Sequence, residues 1–254
     1  MYFMSILQYC ERKGYHPLKA IHATLPGEHL AMDLARFPKS NNNKYALVVV
    51  DVCTRFIFLR ALKSKDAVVI AKKLLNLFRD IGPSKIIQSD NGSEFSDSKL
   101  NAVLTILNTE HHLSTPYHPR GNGVAERSVR SVKDLLPKVL EGRVLDWNLY
   151  FPMVQLQLNT NVASLHSSTL FSLSYGHAFA GFSNFDAVES DLLGPKDLDQ
   201  RLEYLTNIVF PAISEKSKAS QKQMIDQVQS FSPYHRISYW FLCYDQRHGS
   251  YRCS

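Results

Sequence analysis

The chain has 254 residues, 44% of them hydrophobic, which is enough apolar material for a sizeable core and excludes a disordered polymer. Its 29 Lys and Arg against 23 Asp and Glu leave a formal charge of +6, which favours a polyanionic partner only where the cations cluster. Cys10, Cys53, Cys243 and Cys253 form no C-x-x-C pair, so neither a disulfide framework nor a complete zinc site is legible, and a reducing intracellular setting is expected.

The opening MYFMSILQYCERK has no basic segment ahead of its apolar stretch and no small-residue cleavage site behind it, so no signal peptide is expected. The first strong periodicity is HLAMDLARF at residues 29–37, an alternating strand. Next, YALVVVD at 45–51 is a continuous apolar run of the buried-strand type, far too short to cross a bilayer, and FIFLRAL at 56–62 makes a third strand. Turn residues at 38–43 (PKSNNN) and at Thr54-Arg55 predict a three-stranded antiparallel meander. Asp66 reads as the N-cap of a helix over 67–79 that buries Val69, Ala71, Leu74, Leu75 and Phe78 and stops at Gly82-Pro83.

A fourth strand at 85–89, a helix at 96–107, a fifth strand at 110–114, and helices at 122–140 and 145–163 follow. This order predicts an α/β fold, a mixed five-stranded sheet flanked by helices. Residues from Pro195 onward predict a C-terminal helical extension with a stripe of Leu198, Leu202, Leu205, Ile208 and Val209, interrupted near Pro211.

Three carboxylates fall where such a sheet brings element ends together: Asp33 inside the first strand, Asp90 just after the fourth, and Glu126 one turn into the helix at 122–140. Each has an ordinary alternative. Asp33 fits a solvated strand edge, Asp90-Asn91-Gly92 a plain turn, and Glu126 a solvated helix face. Taken together, three converging anions repel unless a hard divalent cation neutralises them. Oxygen-only ligands favour Mg²⁺ or Mn²⁺ over zinc, and a pair of such ions is the usual platform for phosphoryl transfer. Arg127 neighbours Glu126, while Arg130 and Lys133 follow it at i+4 and i+7 on the same face, where a phosphate backbone could run; a solvated basic face is the alternative.

The ordered motifs HLAMDL, YALVVVDVCTRFIFLRAL, IIQSDNGSEF, STPYHPRGNGVAERSVRSVKDLL and HSSTLFSLSYG, spanning about residues 27–181, resemble the integrase catalytic domain of retroviruses and of gypsy-like long-terminal-repeat retrotransposons. The resemblance implies an RNase H-like fold, with Asp33, Asp90 and Glu126 as catalytic metal ligands for two Mg²⁺ or Mn²⁺ ions. It implies DNA as partner, both element ends and target, with end trimming followed by strand transfer. Nuclear action and homo-oligomeric assembly, with no membrane association, are implied as well. Asn91 falls on the family's turn after the second aspartate, and Pro119, Gly121, Asn122 and Gly123 on its flexible loop before the glutamate helix, where His118 also matches. Together with Arg120 and the helix-face cations Arg127, Arg130 and Lys133, residues Asn91, Asn122 and Gly123 are the expected DNA contacts. Asp51 also matches a family position, and a turn role is expected for it.

Some features depart from the family. Only Cys10 stands where a His/His/Cys/Cys zinc module would end, and Leu7 replaces its partner. Position 120 is Arg where Gln is common, and the Phe-x-x-Gly-Asp opening of the C-terminal barrel is missing after Phe231. The expected division is a zinc-module remnant at 1–23, the catalytic core at 24–182, and a helical extension with a truncated or frame-disrupted tail at 183–254. Two other functions fit the residues: a catalytically silent, element-derived nucleic-acid-binding protein, and a ribonuclease H-like nuclease, against which the Glu126 helix motif and HSSTLFSLSYG argue.

Overall fold

The computed structural model describes residues 23–114, 122–142, 146–163, 168–177, 179 and 195–231. The expected zinc-module remnant, apart from Ala23, and the tail beyond Phe231 lie outside them. Strands β1 (His29–Ser40), β2 (Asn43–Asp51) and β3 (Ile57–Leu62) form the antiparallel meander. Helix α1 (Ala67–Ile81) leads to β4 (Ile86–Ser89), and α2 (Ser98–Ile106) to β5 (Glu110–Leu113). Both late strands run parallel, giving a five-stranded mixed sheet ordered β3-β2-β1-β4-β5. Helices α3 (Gly123–Leu140) and α4 (Trp147–Thr160) follow, then a two-strand pair, β6 (Val162–Ala163) and β7 (Ser168–Thr169), and α5 (Leu170–Tyr175).

Alternation along β1 and β2 decides which helices cover which face. Leu30, Met32, Leu47 and Val49 point to α1 and α2, joining Ile70, Leu74, Leu100 and Leu104 in one core. Ala35, Ala46, Val48 and Val50 point the other way and pack on Val129, Val132 and Leu136 of α3 and on Trp147, Phe151 and Val154 of α4.

Four sequence expectations change. The predicted loop at 38–43 shrinks to a two-residue turn, because Asn41 and Asn42 adopt left-handed φ values of 45° and 65°, the geometry that closes a tight hairpin. Pro38 stays in β1 at a register irregularity, where it need not donate, and its carbonyl accepts from Trp147 Nε1 at 2.6 Å. The buried face of α1 is Ala67, Ile70, Ala71, Leu74, Leu77 and Phe78, whereas Leu75 is exposed. Helix α4 ends at Thr160, since Asn161 is extended and Val162 and Ala163 pair with β7.

The fourth change concerns the extension. Helix α6 (Pro195–Tyr204) passes through a π turn (Leu205–Val209) into α7 (Phe210–Phe231) without a break. Pro211 lacks an N–H, and the irregularity is taken up one turn earlier by the Phe210 N–H bonding Leu205 O. Leu205, Phe210 and Ile213 pack onto Ala23, Ala31, Cys53, Ala125 and Leu173, so the extension folds back on the core, while Leu202 and Ile208 of the expected stripe are exposed.

Candidate active site

Strands β1 and β4 run parallel with Leu30 opposite Ile87 and Ala31 opposite Gln88. Asp33 lies two residues beyond Ala31 on β1, and Asp90 follows Ser89, the last residue of the neighbouring parallel strand β4. Asp33 is half-buried and shares its face with Ala31 and Ala35, whose small side chains let α3 come close. Asp90 is exposed at the end of β4, and Glu126 is exposed in the first turn of α3.

Helix α3 is fixed there by Asn122. Its side chain is buried and its Nδ2 donates to the Met32 carbonyl at 3.0 Å, one residue before Asp33. The sequence reading assigned Asn122 to DNA; in the structure it ties the start of the Glu126 helix to the Asp33 strand. Ala125, fully buried, completes that junction.

Burial is the largest influence on Asp33 and pushes its carboxyl up to about 6; Asp90 and Glu126 add to the rise, while the Leu34 N–H at 2.7 Å and Lys133 oppose it. Thus the three carboxylates and Lys133 share one electrostatic neighbourhood. Asp90 Oδ1 accepts from the Gly92 N–H at 3.1 Å, a turn in which a Cβ on residue 92 would lie 3.1 Å from both Asp90 Oδ1 and Glu94 Cδ. Glycine there keeps the Asp90 carboxylate clear.

Among the described residues, no three His, Cys, Asp or Glu side chains converge closely enough to coordinate one ion as they stand. The chemistry of the donors is nonetheless of the type a hard cation takes: carboxylate oxygens only, with Asp33 disfavoured in its ionised form by burial and by the charges of Asp90 and Glu126.

Of the other predicted contacts, Asn91 is exposed beside Asp90, Gly123 begins α3, and Arg127, Arg130 and Lys133 are exposed along it. Arg120, with His118, Pro119 and Gly121, lies outside the described residues. Asp51 is buried and accepts hydrogen bonds from the Gly27, Cys53 and Thr54 N–H groups and from Thr54 Oγ1, a turn-organising role as expected. Burial pushes its carboxyl above the ordinary range despite those donors.

A family model described as "Integrase core domain" matches residues 23–119. The chain is 30% identical over 192 residues to the Pro-Pol polyprotein of Simian foamy virus type 3 (strain LK3), covering 75% of this chain and 16% of that one. It is 34% identical over 154 residues to the Gag-Pol polyprotein of Feline leukemia virus, covering 59% and 9%. The chain carries a retroviral-type integrase core.

This integrase core spans only a small part of the polyproteins it matches. Its fold is that of two solved structures. The simian T-cell lymphotropic virus intasome in complex with PP2A regulatory subunit B56 gamma aligns at TM-score 0.57 and 22% identity, over 62% of this chain and 57% of that one. The HTLV-2 integrase catalytic core domain in complex with magnesium, in a trimeric form, aligns at TM-score 0.50 and 21% identity, over 58% and 96%. Both place the sheet and its helices in the RNase H-like class of integrase cores.

Proposed function

We propose that this integrase core performs DNA 3′-end processing and strand transfer, with Asp33, Asp90 and Glu126 holding two Mg²⁺ or Mn²⁺ ions. What supports the reading is that Asp33 and Asp90 each follow the paired segment of the neighbouring parallel strands β1 and β4, and that Asn122 ties the start of the Glu126 helix to Met32, one residue before Asp33. When bound, such ions activate a nucleophilic oxygen and stabilise the leaving oxygen of an in-line displacement at phosphorus. The protein's part is positional. The Leu34 N–H orients Asp33, the Gly92 turn orients Asp90, and the cations of α3 set the course of a phosphate backbone past Glu126.

The magnesium-bound HTLV-2 core supports the choice of ion, and the intasome and trimeric relatives support DNA as substrate and a homo-oligomeric assembly. On this reading the chain serves the integration of a retrotransposon, acts in the nucleus, and has its catalytic unit at 24–182, with 183–254 appended. No helix among the described residues is long and apolar enough to cross a membrane.

The test is incubation of the purified chain with branched duplex DNA and Mn²⁺. Strand cleavage and joining by the wild type, abolished in Glu126→Gln with duplex binding retained, is the expected result. DNA binding without any joining would leave a silent nucleic-acid-binding protein instead.

A further inference from the structure

The turn between β2 and β3 contains a cation that the catalytic reading leaves unused. Arg55 adopts φ 68°, a left-handed conformation that favours glycine, and its N–H bonds the Asp51 carbonyl at 2.8 Å to close the turn. The side chain is half-buried, and Nη1 is enclosed without a hydrogen-bond partner. Enclosing a guanidinium nitrogen without a partner is costly, because that N–H group forfeits hydration and gains nothing in return. Asp51 is the near anion, but its carboxylate is already committed to four donors from Gly27, Cys53 and Thr54.

The same turn packs on the first turn of α3: Val52 and Cys53 share a cluster with Val124 and Ala125, directly before Glu126 and Arg127. Arg127 is exposed on that turn of the helix, and its charge acts against that of Arg55. Two cations, one with an enclosed nitrogen that has no acceptor, therefore belong to the same junction between the β2–β3 turn and the N-terminal end of the helix that carries Glu126. We propose that Arg55 and Arg127 form a clasp for one phosphodiester of the bound DNA strand. A phosphate offers acceptor oxygens to both guanidiniums and neutralises their repulsion, which water does not. The assignment rests on the DNA-processing reading above and adds to it a contact at the β2–β3 turn.

The full chain as wild type, Arg55→Met, Arg55→Lys, Arg127→Met and Arg130→Ala is titrated with a fluorescent duplex across NaCl concentrations and melted without DNA. Arg55→Met is expected to melt at or above the wild type, since it keeps the stem and removes the unpaired charge. It should bind duplex several-fold more weakly, with a log–log salt slope smaller by about one. Arg127→Met should lose a similar slope, and Arg55→Lys should keep it. An unchanged slope in Arg55→Met, with Arg130→Ala losing its own, overturns the clasp alone. Failure of the wild type to bind duplex overturns both the clasp and the function it rests on. Inorganic phosphate at constant ionic strength is the control: stabilisation of wild type but not Arg55→Met, with equal duplex binding, marks a free-anion site and overturns the nucleic-acid assignment.

Discussion

Asp33 and His29 lie four residues apart on β1, and burial moves them in opposite directions on the pH scale. His29 is 5% exposed, and desolvation with the neighbouring His112 lowers it to about 4, although a Gln88 hydrogen bond opposes the shift. Between about 4 and 6.5 the unfolded chain therefore binds the extra proton, and this contribution to stability is lost as pH falls through that window. Its full extent is on the order of 3 kcal/mol. Asp33, raised to about 6, binds its proton in the folded state from about 4 upward, so its contribution to metal-free stability declines as pH rises to 6. The two slopes oppose each other over the same range, so in denaturant melts at pH 4.5 to 7 His29→Gln should leave stability falling as pH rises to 6, and Asp33→Asn should leave it rising to 6.5. Mg²⁺ should stabilise the wild type more at pH 7 than at pH 5, because protons compete for Asp33, and should not do so in Asp33→Asn. An equal Mg²⁺ effect at both pH values would contradict this.

At the scale of elements, β3 is a sheet edge whose outer backbone would otherwise be free to pair with another chain. Helix α4 covers it with two amides one turn apart. Asn159 accepts from the Ile57 N–H at 2.9 Å and donates to the Ile57 carbonyl at 2.8 Å, and Gln155 accepts from the Leu59 N–H at 2.8 Å. Asn159→Ala should cost about 1–3 kcal/mol in urea unfolding, because it strands buried backbone groups. The Gln155→Ala/Asn159→Ala double variant should also self-associate with rising concentration, read by light scattering. The three carboxylates stood out through the ordered motifs of the family resemblance, while periodicity and turn residues made the sheet and its helices legible, because those signals are local. The roles of Asn122 and Asn159 were not, since an amide reads the same in sequence whether it faces solvent or satisfies a backbone group some 90 or 100 residues away. The two-residue Asn41-Asn42 turn was obscured similarly by Pro38, which suggested a longer loop.

For the molecule as a whole, the modest excess of +6 has an address. Arg127, Arg130 and Lys133 are exposed on α3, beside the carboxylates. Replacing Arg130 or Lys133 by Ala should reduce the slope of log affinity for duplex against log salt by about one each, uniformly across DNA sequences. An unchanged slope would mark a merely solvated face. The C-terminal stripe was read correctly as apolar but only partly as to which residues it buries, because the π turn at Leu205–Val209 rotates the helix phase. The proposed function requires Asp33, Asp90 and Glu126 to hold divalent cations between them. Anomalous diffraction from crystals of the chain soaked in Mn²⁺ tests it most directly. Manganese density bounded by those three carboxylates and lost in Asp90→Asn is the expected result; a peak elsewhere, or none at saturating Mn²⁺, would overturn the proposed function.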